Sequence, residues 1–572
     1  MAILQYEVRP GAYYDSVVLM QLQRALAALP GVVDAGVVMA TPANRELLLS
    51  SDLWPETAVS TTPDDLLIVV KAETEQTAAD ALAQVDALLM RKHSSAGQSF
   101  RPRSLDSAAK ALPAANWVLV SVPGRYAAGV ARDALSLGKH IFLYSDNVSL
   151  DDEVALKQQA QEKGLLVMGP DCGTAVINGI GLGFANRVRR GNIGVVAASG
   201  TGLQAVSSHI HQLGGGVSQA IGTGGRDLSP AVGGATTRQG LDVLARDGET
   251  AVIVLISKPP APEVATQLLA AAQTANKPVV VNFIGYPPPA RQLGNLHFAT
   301  NAWETAVLAV ELGRGLTPIN TDSSPEDAPP PPRLKGFLRG LFSGGTLAYE
   351  AMLGLQPVLA PLYSNGPIRP EQKLADPLVS QAHTIIDLGE DEFTQGRLHP
   401  MMDNDLRIRR LRQEAADPEV GLILLDVVLG EGAHPDPASE LAPVIAEIRA
   451  NRSLSLSKGP LPVAVILIGT DQDPQNMAEQ AEKLAAAGAE IFTDTASAVA
   501  MISQRMQPTP PALPNPIDLA AFKAPLAAIN VGLESFNDSI IGQGAKAVQV
   551  EWKPPAGGNE RMMALLAKMK KA

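Results

Sequence analysis

Cysteine is nearly absent from this sequence of 572 residues, which contains one, Cys172. A single cysteine excludes an internal disulfide and any metal site built from several thiolates, and we predict no metal site. Because Cys172 follows the turn Gly169-Pro170-Asp171, we interpret it as a small packed residue rather than a nucleophile.

Basic clusters and long apolar segments are missing as well. The net charge is −12, and no concentrated run of Lys and Arg provides the phosphate contacts on which nucleic-acid binding depends. The residues from Met1 to Glu7 lack the charged stretch and apolar core of an export signal, and no apolar run reaches the roughly 18 residues of a membrane span. We therefore expect a cytoplasmic protein without nucleic-acid or membrane partners.

Strand and helix patterns alternate along most of the chain. The hydrophobic content of 46% is enough for several cores, and the length corresponds to roughly three to five domains. The alternation predicts an α/β protein with several doubly wound parallel-sheet domains, Rossmann-like and flavodoxin-like, after a small N-terminal α+β module. The predicted parts are a ferredoxin-like or regulatory module at 1–95, a Rossmann domain at 96–188, a flavodoxin-type domain at 189–318, a Pro-rich linker at 319–333, a second flavodoxin-type domain at 334–508 and an interaction segment at 509–572.

Two glycine-rich turns follow predicted buried strands. The first strand, Ile193 to Ala197, leads into Ser199-Gly200-Thr201-Gly202, and the second, Gly336 to Leu341, leads into Ser343-Gly344-Gly345-Thr346. Such a turn directs free backbone N–H groups and the positive end of a helix dipole at one point, which suits a phosphate. We predict that these two turns clamp a phosphate between two halves of the chain.

Several segments resemble the two subunits of succinyl-CoA synthetase. Similar to its α subunit are Met168-Gly169-Pro170-Asp171-Cys172-Gly173, Gly191 through Thr201, Gly222-Thr223-Gly224-Gly225, Glu249 through Ile256 and Lys277 through Val281. Similar to the C-terminal domain of its β subunit are Phe342 through Thr346 and Val420 through Asp426. The fused order, the small first module and the ending, from Ile529 to Gly558, resemble the FdrA family. The resemblance implies a CoA-binding-like domain at 96–188 and succinyl-CoA synthetase-like domains at 189–318 and 334–508.

The sequence departs from the ligase family at the residue that carries phosphate. In that family a histidine is phosphorylated, and the matching position here is Asn295, whose amide cannot accept a phosphoryl group as imidazole does. His297, two residues further on, is the alternative acceptor. The carboxylate that partners the phosphohistidine corresponds to Lys258, which we predict to be a phosphate ligand, although the alternative is an ordinary surface lysine.

Two further ligase features are missing. The glycine-rich turn that holds CoA in the ligase α subunit has no clear counterpart before Trp117, so we do not expect CoA as a cofactor. Residues 336–508 have room for one doubly wound domain, so no ATP-grasp domain precedes the second half. The chain alone is therefore not expected to be an ATP-driven ligase.

The FdrA resemblance implies a reaction in purine-ureide (allantoin) degradation. The family is connected with oxamate carbamoyltransferase, which interconverts oxalurate plus phosphate with oxamate plus carbamoyl phosphate. The clamp would hold phosphate or carbamoyl phosphate as substrate, with Gly224 and Gly225 nearby, and Arg226 or Arg397 would pair with the substrate carboxylate. The alternative for each arginine is a surface ion pair.

Three more polar residues follow predicted strands at the edge where parallel sheets bind ligands. His434 is a candidate catalytic residue beside Lys258 and Asn295, and its alternative is a loop histidine that caps a turn. Asp387 and Asp426 could orient a cation or the ureido nitrogens, and their alternative is a helix N-cap.

Three hypotheses follow from the sequence. The first is a phosphate-binding subunit of a carbamoyltransferase that is active with other subunits of a hetero-oligomer. The alternative is a subunit of an NDP-forming acyl-CoA synthetase that takes its nucleotide domain from a partner. A non-catalytic scaffold, which would bind phosphate without turnover, is the third, and a homodimer is compatible with each.

Overall fold

The chain divides into two units, Met1–Gln507 and Pro508–Ala572. The structure, a computed structural model, describes residues 2–12, 16–40, 44–45, 48–49, 51–55, 61–62, 65–90, 102–288, 290–316, 333–394, 397–456, 459–506, 519–553 and 562. The predicted linker at 319–333, except its last residue, and the segment 554–558 lie outside the described residues.

The N-terminal module is built on a three-stranded antiparallel sheet with the order β1-β3-β2. Helix α1 buries Leu19, Leu22 and Leu26, which recur at helical spacing, against one face of this sheet. The other face is covered by Leu48 and Leu53. The elements are β1 Ile3–Arg9, α1 Ser16–Ala27, β2 Val32–Met39, β3 Leu66–Ala72, α2 Glu75–Ala83 and α3 Val85–Met90.

A parallel three-stranded sheet follows, with the order β4-β5-β6. Helix α5 packs on it through Ala127, Ala131 and Ala134, whose small side chains permit close approach. The elements are α4 Leu105–Ala111, β4 Trp117–Val120, α5 Gly124–Ser136, β5 His140–Leu143, α6 Leu150–Glu162 and β6 Val167–Met168.

The third sheet has eight strands in the order β13-β14-β12-β11-β9-β10-β7-β8. Its centre is parallel, and every residue of β11 is buried, as expected of a strand covered on both faces. The hairpin β7–β8 joins this sheet although it precedes residue 189. The elements are β7 Thr174–Ile177, β8 Ile180–Gly183, β9 Arg190–Ala198, α7 Gly200–Gln212, β10 Val217–Gly222, α8 Ala235–Arg246, β11 Val252–Ser257, α9 Pro262–Gln273, β12 Val279–Phe283, β13 Gln292–Leu293, β14 Leu296–Phe298 and α10 Ala302–Gly313.

The fourth sheet is parallel and has six strands in the order β16-β17-β15-β18-β19-β20. All nine residues of its central strand β18 are buried. The elements are β15 Phe337–Phe342, α11 Gly345–Leu355, β16 Leu362–Ser364, a 3₁₀ turn Pro370–Gln372, β17 His383–Asp387, α12 Asp391–Thr394, α13 Asp405–Ala416, β18 Val420–Val428, α14 Pro437–Leu456, β19 Val463–Ile468, α15 Met477–Ala486, β20 Glu490–Phe492 and α16 Thr495–Met506.

The C-terminal unit contains one β-α-β crossover. Its two strands are parallel, and apolar residues on them are exposed, such as Ile529 at 75% and Val548 at 66%. The elements are α17 Leu519–Lys523, β21 Ala527–Val531, α18 Glu534–Gly542 and β22 Lys546–Val550. In the described part of the chain, no helix combines the length and apolar character that a membrane span requires.

One hydrophobic core joins the two large sheets. It contains Val254 and Leu203 from the eight-stranded sheet and α7, together with Leu424 and Leu347 from the six-stranded sheet and α11. The carboxyl ends of β9 and β15, where α7 and α11 begin, are consequently held at one interface. The α/β architecture that the alternating pattern predicts is confirmed.

The shared core gives the first testable prediction. Leu424→Ala leaves a cavity at a side chain that is 0% exposed, so the free energy of unfolding should fall by about 2–5 kcal/mol. Urea unfolding checks this, with Leu112→Ala as the control because Leu112 is 62% exposed. Equal losses in the two variants would contradict the assignment of the core.

Candidate anion-binding site

The N-termini of α7 and α11 meet side by side. Ser199 caps α7, and its Oγ accepts the N–H of Gly202 at 3.1 Å. The same hydroxyl is 2.6 Å from Oγ1 of Thr346, and the N–H of Thr346 donates to Oγ1 of Thr201 at 3.3 Å. The structure therefore brings the two predicted glycine-rich turns together, although one lies after β9 and the other after β15.

Backbone donors without an acceptor in the described part of the chain remain at this junction. The first N–H groups of any helix have no acceptor inside the helix. Gly202 and Thr346 donate to the hydroxyls just described. The N–H groups of Gly200, Thr201 and Gly345 have no acceptor among the described residues, so these are the donors that an anion would meet.

The turn before α11 already holds a carboxylate. Oδ1 of Asp426 accepts the N–H of Ser343 at 2.7 Å and its hydroxyl at 3.0 Å, and Oδ2 accepts the N–H of Gly344 at 2.8 Å. The prediction that Ser343 and Gly344 hold phosphate is corrected accordingly, because β18 lies next to β15 and places Asp426 at this turn. Asp426 therefore belongs to the frame of the site.

Arg407 fixes Asp426. Its Nη1 donates to the backbone carbonyl of Asp426 at 2.6 Å, and its Nη2 lies 3.5 Å from Oδ1. Both side chains are buried, with exposures of 2% and 0%. Removing one partner would leave the other charge buried and uncompensated, which is strongly destabilising.

Lys258 and Asp387 flank the first residue of α11. A Cβ atom at Gly345 would collide with Oδ2 of Asp387 and would lie 3.3 Å from Nζ of Lys258. Among the described residues, Lys258 has no carboxylate at salt-bridge distance, although Asp387 and Asp171 are close enough to interact with its charge. The ammonium group is therefore available to an anion beside the two helix ends.

Asp387 and Asp171 have the electrostatics of acid–base groups. Burial raises the pKa of Asp387 to about 7, while the charge of Lys258 opposes the increase. Desolvation, followed by repulsion from Asp146, also raises the pKa of Asp171, but its side chain is exposed, so solvent weakens the effect there. A carboxyl group with the pKa of Asp387 can both donate and accept a proton near neutral pH. The sequence analysis identified Asp387 but missed Asp171, which it treated as part of a turn.

His399 is a second residue that the sequence analysis missed. Its Nδ1 accepts the N–H of Met401 at 3.2 Å, and its ring centre lies 5.1 Å from that of Phe184. Burial lowers the pKa of His399 to about 4, so the ring is neutral and carries its proton on Nε2. A Cβ atom at Gly389 would lie 3.1 Å from both this Nε2 and Oδ1 of Asp387. The segment Gly396-Arg397-Leu398-His399-Pro400 contains both this histidine and Arg397, and the sequence analysis predicts a substrate contact only for Arg397.

Asn295 lies away from these groups, which corrects its assignment as a catalytic residue. Its Nδ2 donates to the carbonyls of Ala272, Ala275 and Lys277 at 3.0, 2.9 and 2.9 Å. These carbonyls lie before the start of β12, whereas Lys258 follows the end of β11, and the two strands are parallel. Asn295 and Lys258 are therefore at opposite edges of the sheet.

His297, the alternative acceptor, lies within β14 on the same sheet. It pairs with Val280 of β12, and burial lowers its pKa. β14 runs parallel to β12, so its first residues belong to the edge that carries Asn295.

The remaining polar candidates have partners inside the protein. Nε of Arg226 lies 3.0 Å from Glu153, and its Nη2 donates to the carbonyl of Val148 at 2.8 Å, so its alternative as an ion pair fits the structure. Nε2 of His434 lies 3.1 Å from Glu440, and no described hydrogen bond connects it to the two helix ends. These findings correct the predicted roles of Arg226 and His434.

The neighbours of Gly224, Gly225 and Arg397 in the structure belong to the protein itself. A Cβ atom at Gly224 would collide with the carbonyl of Pro170, so this glycine serves close packing against the Asp171 turn. A Cβ atom at Gly225 would lie 3.7 Å from Oδ2 of Asp171. Burial lowers the pKa of Arg397, and the charges that oppose this are those of Asp405 and Asp403. The charges that act on Arg397 are therefore those of acidic residues of the protein, and not of a substrate held at the two helix ends.

Comparison with known proteins places this geometry in a family. Three family models match: "AllF, heavy metal-associated domain" at residues 1–103, "CoA binding domain" at 188–285 and "CoA-ligase" at 341–504. The uncharacterized protein YahF of Escherichia coli (strain K12) is 43% identical over 491 residues, which are 84% of this chain and 94% of YahF. The chain belongs to the YahF family. Together, these matches fit an FdrA/AllF-like fusion of succinyl-CoA synthetase-like parts.

Other matches of this YahF-family chain are partial. The α subunit 2 of an ADP-forming succinate–CoA ligase of Archaeoglobus fulgidus is 27% identical over 188 residues, which are 32% of this chain and 63% of the relative. Among solved structures, a dinucleotide-forming acetyl-coenzyme A synthetase 1 of Ca. Korarchaeum cryptofilum is 16% identical, with a TM-score of 0.28, covering 68% of this chain and 82% of that one. The matches to the CoA-ligase and CoA binding domain models and to the ligase α subunit show a succinyl-CoA synthetase-like protein with CoA-ligase-type α/β domains.

The crowding at Gly345 gives a second prediction. Gly345→Ala should displace the carboxyl group of Asp387 and weaken the binding of inorganic phosphate at least about tenfold, which corresponds to about 1.4 kcal/mol. Isothermal titration calorimetry measures the change. Gly129→Ala is the control, since nothing lies within 4 Å of a Cβ atom there. Unchanged phosphate affinity in Gly345→Ala would show that the anion does not approach this helix end.

The raised pKa of Asp387 gives a third prediction. In the unfolded chain the group ionises near its ordinary value of 3.8, and in the folded chain near 7, so the folded state binds more protons between these values. The free energy of unfolding should therefore decrease as pH rises from about 4 to 7. Asp387→Asn should remove this contribution, which is at most about 4 kcal/mol.

Urea unfolding at pH 5, 6, 7 and 8 checks this prediction. Asp133→Asn, an exposed substitution within α5, serves as the control and should follow the wild-type pH profile. An Asp387→Asn profile with the same slope as wild type would mean that Asp387 ionises normally.

Proposed function

We propose that the chain is the subunit of a succinyl-CoA synthetase-like enzyme that binds phosphate or an acyl phosphate between the ends of α7 and α11. The transfer would be direct, without a phosphorylated histidine. One observation carries this proposal: three free backbone donors and Lys258 converge at the two helix ends, while the position of the family's phosphohistidine is an asparagine at the opposite edge of the sheet.

The donors are strong enough to position an anion. Each helix end contributes roughly 0.3–1 kcal/mol, rising to about 2 kcal/mol in partly buried geometry. A hydrogen bond to a charged oxygen contributes about 1.5–3 kcal/mol. Gly200, Thr201, Gly345 and Lys258 together supply four such contacts, which favours a phosphate over a neutral ligand.

The specific reaction that we propose at this site is carbamoyl transfer. An oxygen of hydrogen phosphate would attack the terminal ureido carbonyl of oxalurate, forming the C–O bond of carbamoyl phosphate as the C–N bond to oxamate breaks. The phosphate loses one proton and the departing amide nitrogen of oxamate gains one, so the reaction needs no proton from solvent. Asp387, with a pKa of about 7 beside Gly345, can relay this proton, and Lys258 can offset the developing negative charge.

A second candidate is a subunit of an acid–thiol ligase. The matches to a CoA-ligase family and to a CoA binding domain favour it. In this case the acyl phosphate in the same site would react with CoA, and a partner chain would provide the nucleotide domain. Phosphate is held in the same way in both reactions, so they differ in the second substrate.

Both candidates require partner subunits, and the C-terminal unit is the part that we assign to this contact. Phe536 is 61% exposed and Val548 66%, and a parallel strand pair is normally covered on both faces. A partner chain that covers this crossover would complete its packing.

The fourth prediction tests the proposal. Lys258→Gln should weaken binding of inorganic phosphate and of carbamoyl phosphate by about 10- to 100-fold, because one charge-assisted contact is lost. Calorimetric titration of the full chain measures both affinities. The control is Lys110→Gln, which removes an exposed lysine of α4.

The second substrate separates the two reactions. Carbamoyl phosphate binding in the absence of CoA binding would favour the carbamoyltransferase, and CoA binding at micromolar concentration would favour the ligase. If the wild-type chain binds neither phosphate nor carbamoyl phosphate at millimolar concentration, the proposed site is wrong.

A further inference from the structure

The N-terminal module matches a family described as a heavy metal-associated domain, but it has no suitable thiolate. Soft heavy metals prefer Cys ligands, and the single cysteine, Cys172, is buried outside the module. Among the described residues, no group of three or more His, Cys, Asp or Glu side chains is arranged to hold a metal ion.

Four described carboxylates of the module already have partners. Glu7 and Asp86 both bind Arg9, at 2.7 and 2.8 Å. Asp52 lies 2.6 Å from Lys71. Asp65 accepts the N–H groups of Gly11 at 3.2 Å and Thr62 at 2.7 Å.

The module instead makes ion pairs with the domain of the six-stranded sheet. Nη2 of Arg24, on α1, lies 2.9 Å from Oε1 of Glu440, 3.7 Å from Asp403 and 3.4 Å from Nε2 of His434. A second contact joins Asp34 of the module to Arg409 of α13 at 3.5 Å.

A continuous set of contacts leads from Arg24 to the anion site. Oε2 of Glu440 accepts the side-chain amide of Asn404 at 3.1 Å, and Asn404 is the N-cap residue of α13. Helix α13 carries Arg407, which binds Asp426. Asp426 in turn holds the N–H groups of Ser343 and Gly344 at the start of α11.

We propose that the module does not bind a metal but acts as an ion-paired docking domain that positions the α11 end of the anion site through Arg24. This inference rests on the proposed phosphate site. Without the cation of Arg24, Glu440 keeps only its contacts with His434 and Asn404, and Asp403 loses its cation at 3.7 Å. The start of α13 then shifts, and Arg407 no longer places Asp426 correctly. Arg24 is thus a positioning residue, since it touches neither helix end of the site.

The fifth prediction concerns Arg24. Arg24→Glu should weaken phosphate binding about fivefold or more, and the double variant Arg24→Glu, Glu440→Arg should recover most of the loss because the ion pair is restored with reversed charges. Arg9→Gln is the matched control, since its partners Glu7 and Asp86 lie inside the module. Calorimetry of the full chain measures all four proteins.

The outcomes separate this inference from the proposed function. If wild type binds phosphate and Arg24→Glu binds it equally well, the docking role is wrong although the site is right. If wild type does not bind phosphate, hydrogen exchange decides instead: Arg24→Glu, but not Arg9→Gln, should accelerate amide exchange in the first turns of α13, and unchanged exchange overturns the inference.

Metal binding is tested separately with the full chain. Titration with Zn²⁺ and with Cu⁺ should give no stoichiometric binding at micromolar concentration. Stoichiometric binding that produces a slower exchange of amides in the N-terminal module would overturn the inference, because the module would then hold a metal after all.

Discussion

Two helix N-termini that meet repel each other, since each carries roughly half a positive elementary charge. The ends of α7 and α11 are nevertheless joined, with Ser199 and Thr346 hydrogen-bonded at 2.6 Å. The carboxylate of Asp426 reduces this repulsion from one side, where it binds the two N–H groups that precede α11. The remaining positive potential is directed at Gly200, Thr201 and Gly345, so an anion on that side would stabilise the junction further.

The acidic groups around Lys258 fit this arrangement. Burial raises the pKa of Asp387 to about 7, and desolvation acts in the same direction on the more exposed Asp171, so both carboxylates gain a proton more easily than an ordinary aspartate. An arriving phosphate raises the local negative charge and thereby favours their protonated forms. Lys258 can then interact with the anion instead of with the two carboxylates. Phosphate binding in the proposed site would consequently be linked to proton uptake.

Local sequence patterns determined much of the fold. The strands predicted at Ile193 to Ala197 and Gly336 to Leu341 correspond to β9 and β15, with bounds that differ by one to three residues, because an apolar run that ends at a glycine-rich turn leaves little ambiguity. The glycine-rich turns after β9 and β15 were also identified correctly as helix starts. The predicted phosphate clamp required these two turns to meet, and they do. Local patterns do not show this contact, because long-range packing brings the two sheets together.

The incorrect site predictions concern residues whose surroundings depend on strand order, on distant partners or on burial. Asn295 was aligned with a phosphorylated histidine, but β14 runs parallel to β12, and this pairing places Asn295 at the far edge of the sheet. Arg226 was assigned to a substrate because its partner, Glu153, is more than 70 residues away in the chain. His399 was overlooked because burial, rather than its neighbours in sequence, makes it a neutral donor.

The buried pair of Arg407 and Asp426 shows why position matters more than stability here. Taking two charges out of water costs several kcal/mol per ion, and a well-packed apolar pair at such a place is often as stable or more stable. A stability argument therefore does not account for the pair. Its geometry does: Arg407 binds both the backbone and the side chain of Asp426, and the carboxylate has one orientation that reaches Ser343 and Gly344. An apolar pair would fill the space but would leave these two N–H groups unpaired, and the start of α11 would lose its fixed direction.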